Sequence, residues 1–182
     1  MILYHGTNKA FDVIDLSKSK PNKDFGQGFY LSTDYDQAMA MAQTKIEQLG
    51  YGYPIVLAFE VDESLFKNLS FKEYDGYSEE WAEFILLNRR NKTTKPAHNF
   101  DIVFGPIAND RVGVQLWKYE IQSIDLPTLV KNLRHMKGIT YQYFFGTEKA
   151  IKLLKKLWVY RNKWKWIWLK TLLHYEWKTI QN

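Results

Sequence analysis

The stretch D-F-G-Q-G-F-Y-L-S, Asp24–Ser32, decides the fold together with Y-H-G-T at Tyr4–Thr7. Each sets bare glycines beside a rigid polar or aromatic group. Glycine lets a backbone come close to another body and presents its own N–H and C=O directly. His5 and Tyr30 carry rings that stack and hydrogen-bond at once. That combination suits a cleft gripping a flat, polar ligand. A third string, Y-Q-Y-F-F at Tyr141–Phe145, completes the set.

Outward from these strings, Ile2–Tyr4 reads as a short buried strand entering a glycine turn, and Phe29–Leu31 as a second strand. Lys18–Lys23 is a polar, proline-containing loop suited to lying over a cleft. Thr33 or Asp34 caps a helix from about Tyr35 to Leu49, with Ala38, Met41, Ala42 and Ile46 on one face. Ile55–Val61 is a central strand. Ser78 opens a helix that carries Trp81, Phe84, Ile85 and Asn88 and ends at Arg89 and Arg90. Phe100–Phe104 is a strand stopped by Gly105 and Pro106, and Ser123–Met136 holds a short helix beside a proline break. Ile139–Phe145 is a strand of β-branched and aromatic residues, after which Thr147 caps a helix beginning at Glu148. Strands and helices mix irregularly, without repeats, so the fold class is α+β rather than doubly wound.

A chain of 182 residues fits one domain, or one domain with an appendage. With 46% apolar and 25% charged residues it builds a real core under an ordinary soluble surface. The absence of cysteine excludes a disulfide framework and thiolate chemistry, in keeping with a cytoplasmic location. The opening residues lack the basic start and apolar run of a signal peptide, and no stretch of about 18 apolar residues predicts a spanning helix. His5, His98, His135 and His174 show no metal-ligand spacing, so no metal is expected, and no P-loop is present.

The net charge of +5 divides unevenly. From Lys149 onward nine Lys/Arg face only Glu176, a net +8, whereas residues 1–148 hold 16 basic and 19 acidic side chains, a net −3. The expected layout is therefore a mildly acidic body, 1–155, and a basic, Trp-rich helical tail, 156–182. The tail carries Trp158, Trp164, Trp166, Trp168 and Trp177 among lysines. Such a segment docks on the body or a partner protein through the stripe Leu157, Trp164, Trp168, Leu172 and Tyr175, or binds a membrane surface or single-stranded nucleic acid.

Taken singly, His5 reads as a capping or core histidine, Tyr30 as a strand aromatic, and Phe25–Gly28 as a tight turn. In order and together with the third string they resemble the ADP-ribosyltransferase superfold, in its histidine–tyrosine–glutamate branch. Diphtheria toxin and the poly(ADP-ribose) polymerases belong to that branch. The chain looks closest to an uncharacterised bacterial domain-of-unknown-function group with Y-H-G-T, D-F-G-x-G-F-Y-L, W-x-x-F-I-x-x-N-R, D-x-V-x-G-P-I-A-x-D and Q-x-x-F-x-T-x-K-A-L. Here these are Tyr4–Thr7, Asp24–Leu31, Trp81–Arg89, Asp101–Asp110 and Gln142–Ile151.

The resemblance implies split mixed β-sheets with flanking helices, and NAD⁺ as co-substrate. It implies that His5 bonds the adenosine ribose, that Gly6 and Thr7 hold the nicotinamide carboxamide, and that Phe29 and Tyr30 line the nicotinamide site. Three positions depart from the pattern. Met41 stands where a second aromatic closes the nicotinamide sandwich, Ala38 replaces a serine, and Gln142 replaces the catalytic glutamate. Glutamine keeps the hydrogen bond to ribose but neither the charge nor the basicity. Glu148 is the nearby carboxylate that could substitute; its plain reading is a helix-start acid. Asn109 and Asp110 read as a turn bracing the cleft, or as contacts to the acceptor.

The resulting expectation is a mono-ADP-ribosyltransferase, a toxin-like effector whose acceptor is a protein or a nucleic acid, with an antitoxin or other partner at the tail. An NAD⁺ glycohydrolase and a non-catalytic NAD⁺- or ADP-ribose-binding module stay open beside it.

Overall fold

The computed structural model describes residues 1–93, 95–108, 110–135 and 138–161, with Asp110 and residues 158–161 described by backbone alone. The described chain is α+β, with two sheets and several helices. Strands β1 (Ile2–Thr7), β3 (Ile55–Glu60) and β7 (Lys155–Arg161) form an antiparallel sheet in the order β1-β3-β7. Strands β2 (Phe29–Leu31), β6 (Tyr141–Phe145), β5 (Ile102–Pro106) and β4 (Phe71–Glu73) form a second sheet in that order. Only its β4–β5 pair is parallel. A single backbone bridge, Tyr4 to Ser32, ties the two sheets where β1 passes β2.

The helices follow from their caps. Of the two candidates, Asp34 caps α1 (Tyr35–Leu49) by accepting the N–H groups of Asp36 and Gln37, and Gly50 ends it in the left-handed region. Ser78 caps α2 (Glu79–Arg90), whose inner face buries Trp81, Ile85 and Asn88. Helices α3 (Asp110–Glu120) and α4 (Leu126–Arg134, capped by Asp125) pack beyond it, and Thr147 caps the short α5 (Glu148–Ile151).

Strand alternation sorts the core into two parts. Leu3, Phe29, Leu31, Leu57, Phe59, Ile102, Tyr143 and Phe145 pack in one cluster drawing on both sheets. Phe25, Trp81, Ile85, Val103, Val112, Leu129 and Phe144 pack in the other, under the helices. On β6 this puts Phe144 and Gln142 on one face and Tyr143 and Phe145 on the opposite one.

Two expectations need correction. The Tyr4–Thr7 string is not a turn, because β1 runs through to Thr7 in register with Ile55 of β3. Nor does a helical tail begin at 156: Lys156 to Arg161 pair with β3 as the remainder of β7. That segment is rich in Val, Tyr and Trp, which suit a pleated edge strand. Residues 162–182, with Trp164, Trp166, Trp168 and Trp177 of the basic tail, lie outside the described residues.

Candidate functional site

The loop between Lys23 and Gly28 is held from every side. The Tyr30 hydroxyl donates to the Gly26 carbonyl at 2.7 Å and accepts the Phe25 N–H at 3.0 Å. His98 receives the Phe100 N–H on Nδ1, which leaves its Nε2–H to donate to the Phe25 carbonyl at 2.9 Å. Gly28 lies under the Phe144 ring, where a Cβ would meet Cε2 at 2.2 Å. The Tyr30 ring stacks beside Phe25, touches Phe144 edge-on, and has the Lys23 ammonium above it at 5.7 Å. Burial, and next the Asp24 carboxylate, push the Tyr30 phenol well above its ordinary range, so it stays a donor.

Asp24 is the junction. Its Oδ1 accepts Arg89 Nε at 2.9 Å and pairs with Nη2 at 2.8 Å, a two-pronged guanidinium contact. Its Oδ2 accepts the Ala108 N–H at 3.0 Å and Gln142 Nε2 at 3.4 Å. Arg89 closes the ring by donating Nη2 to the Ala108 carbonyl at 2.7 Å. A carboxylate only accepts, so it fixes which end of the Gln142 amide faces it: Nε2 turns to Asp24 and Oε1 turns away. The strings around Asp24, Arg89, Ala108 and Gln142 thus meet at one carboxylate. Sequence reasoning overlooked this residue, and the only trace was an acid directly before a glycine loop.

Asp101, the other motif acid, is a strut. It is buried and accepts the Ser70 N–H, the Thr147 hydroxyl at 2.7 Å and the Lys149 ammonium at 2.7 Å. Burial alone would raise its carboxyl, but these donors outweigh that and hold it low. It ties the start of β5 to the start of α5.

His5 donates Nδ1–H to the Tyr30 carbonyl at 2.7 Å, since a carbonyl accepts only, and its Nε2 keeps a lone pair. Its ring packs on Phe29 at 4.4 Å and on Phe11. Burial, then Lys45, push the imidazole down to about 3, so it is neutral at any ordinary pH. Between pH 6.5 and about 3 the unfolded chain binds a proton that folded His5 refuses, and stability falls with acid across that window. His5→Gln is expected to flatten this acid decline in Tm; identical profiles for the two proteins would contradict a buried neutral His5.

Gly6 is pressed against α1. A Cβ there would lie 1.9 Å from the Ala38 carbonyl oxygen and 2.9 Å from the Ala42 nitrogen. One turn further along the same helix face, Lys45 donates Nζ to the Gly6 carbonyl at 2.8 Å. Ala38, where the resemblance has serine, is buried against β1. The Thr7 hydroxyl bonds within a local turn to Lys9.

The remaining sequence candidates are dispersed. Met41 is 50% exposed on α1 and closes nothing over Tyr30. Glu148 is exposed in the first turn of α5, beyond the opposite end of β6 from Gln142. Asn109 lies outside the described residues, and Asp110 opens α3. A groove of about 470 Å³ lined by Glu79, Pro127, Val130, Lys131, Arg134 and His135 shares no residue with this site. Among the described residues no three acidic or His side chains gather as metal ligands, and no helix is long and apolar enough to cross a membrane.

No curated protein and no solved structure matches the chain. A family model described as "Protein of unknown function (DUF3990)" matches residues 1–156, and the chain belongs to that family.

Proposed function

We propose that the chain binds NAD⁺ at the His5–Tyr30–Gln142 cluster and transfers a single ADP-ribose to a macromolecular acceptor. The observation that carries this reading is the meeting of three distant strings through two hydrogen bonds, His5 to Tyr30 and Gln142 to Asp24. The two sheets meeting at the β1–β2 junction also agree with the split-sheet layout of the ADP-ribosyltransferase superfold.

In this reading His5 Nε2 accepts a hydroxyl of the adenosine ribose. The Gly6 carbonyl takes the carboxamide N–H in place of Lys45, and the Tyr30 ring receives the cationic pyridinium. Gln142 Oε1 accepts the 2′-hydroxyl of the nicotinamide ribose. Asp24, one hydrogen bond behind it and paired with Arg89, holds the Gln142 amide in the orientation that turns Oε1 outward. The C1′–N bond breaks with both electrons leaving on nicotinamide, which departs neutral. A lone pair of the acceptor then bonds C1′, and the acceptor proton passes to water. Thr7, with its hydroxyl turned to Lys9, shapes the strand end. The protein would then be a cytoplasmic, toxin-like effector acting on a protein or nucleic acid.

Incubating the protein with NAD⁺ labelled in the adenosine and with cell lysate tests this. Label is expected on a macromolecule with wild type, and at least tenfold less with His5→Ala or Gln142→Ala. Free ADP-ribose alone would assign a glycohydrolase, and binding without turnover a recognition module. Absence of both binding and turnover sinks the proposal.

A further inference from the structure

Two lysines flank the His5–Tyr30 cluster with no acidic partner among the described residues. Lys45 is half-buried on the face of α1 that Ala38 and Ala42 turn to β1. Its single described hydrogen bond, to the Gly6 carbonyl, uses one of three ammonium donors. Lys23 is exposed, and its ammonium lies 5.7 Å from the centroid of the Tyr30 ring. Neither takes part in any ion pair among the described residues, although residues 1–148 carry a net −3 and seven other pairs form. Both bear on the same ring: Lys45 holds the carbonyl of Gly6, the residue after His5, and Lys23 lies over Tyr30, whose carbonyl holds His5 Nδ1.

Gathering like charges in a partly dehydrated place opposes folding unless something else is gained. Burial first, then Lys23, bring the Lys45 ammonium down to about 8. A neutral donor such as glutamine would satisfy the Gly6 carbonyl without a charge. A doubly charged anion lying between the two ammonium groups would relieve the repulsion and fill their unused donors.

We propose that Lys23 and Lys45 form a diphosphate-binding subsite beside the His5–Tyr30 cluster, which takes a nucleoside diphosphate or the diphosphate bridge of a dinucleotide. The dinucleotide form rests on the NAD⁺ reading; the diphosphate site itself does not. Once a ligand amide takes the Gly6 carbonyl, the Lys45 ammonium is free to turn onto the phosphates while Lys23 leaves the Tyr30 face.

Titration calorimetry of the full chain with ADP, and separately with inorganic pyrophosphate and NAD⁺, tests the subsite. Wild type is expected to bind ADP, and Lys45→Met and Lys23→Met each to weaken it about tenfold. Binding of pyrophosphate alone with the same losses would assign a free diphosphate as ligand and keep the subsite. Lys23 is exposed, so Lys23→Met keeps the test decisive even where Lys45→Met fails to fold. ADP affinity unchanged in both variants, or no ADP and no pyrophosphate binding by wild type, overturns the proposal. ADP binding that needs both lysines, without NAD⁺ binding, would reject the NAD⁺ reading and leave the subsite standing.

Discussion

Asp24→Ala is expected to lower unfolding stability by about 3 kcal/mol, the lower part of the ~3–5 kcal/mol range for breaking a buried ion pair. The reason is what it leaves behind. The Arg89 guanidinium, with its side chain 33% exposed, would keep one bond to the Ala108 carbonyl and lose its carboxylate partner. The Ala108 N–H and the Gln142 amide would lose their acceptor in the same stroke. Asp24→Asn keeps an acceptor but not the charge, and is expected to fall between. The double variant Asp24→Leu/Arg89→Met removes both charges together and should lose less than Asp24→Ala alone, a coupling that urea unfolding of the full cycle measures. If Asp24→Ala unfolds at the wild-type midpoint, Asp24 is not the junction described above.

The second large effect is expected at Gly6. Gly6→Ala would drive a methyl to 1.9 Å from the Ala38 carbonyl oxygen, a backbone atom of a helix that has no rotamer to change. Strand and helix must then separate, and a loss of about 3 kcal/mol, the upper end for over-packing, is expected in thermal unfolding. Because the clash is with backbone, Ala38→Gly should not rescue it. Gly28→Ala makes a useful contrast, since there the obstacle is the Phe144 ring and Phe144→Leu should restore part of the loss. Rescue of Gly6→Ala by Ala38→Gly would mean that the two elements are not in the close contact described.

Much of the fold was legible because it is local. Asp34, Ser78 and Thr147 announce three helices through caps that need only the next three residues. The β3 strand is apolar and buried from Ile55 to Phe59, as a central strand covered on both faces must be. Helix α3 was missed: D-R-V-G-V-Q-L-W-K-Y-E mixes glycine with β-branched and aromatic residues, and burial of Val112 and Leu116 one turn apart overrides those propensities. Strand β7 was read as the start of a helix because Trp and Lys there also fit an amphipathic stripe, and only pairing with β3 decides. At the site, His5, Tyr30 and Gln142 were visible as strings. Asp24, Lys23 and Lys45 were not, since their meaning lies in partners brought near only by the sheets.

The place of β7 bears on how the protein is made. Its partner β3, the middle strand of its sheet, is complete about 100 residues before β7, with Ile55 opposite Arg161. At ordinary synthesis rates roughly 5–20 s pass before that partner leaves the ribosome. Throughout that interval one edge of an almost wholly apolar strand stands open to other nascent chains. A chain halted at residue 156, where the family match ends, would carry the open edge permanently.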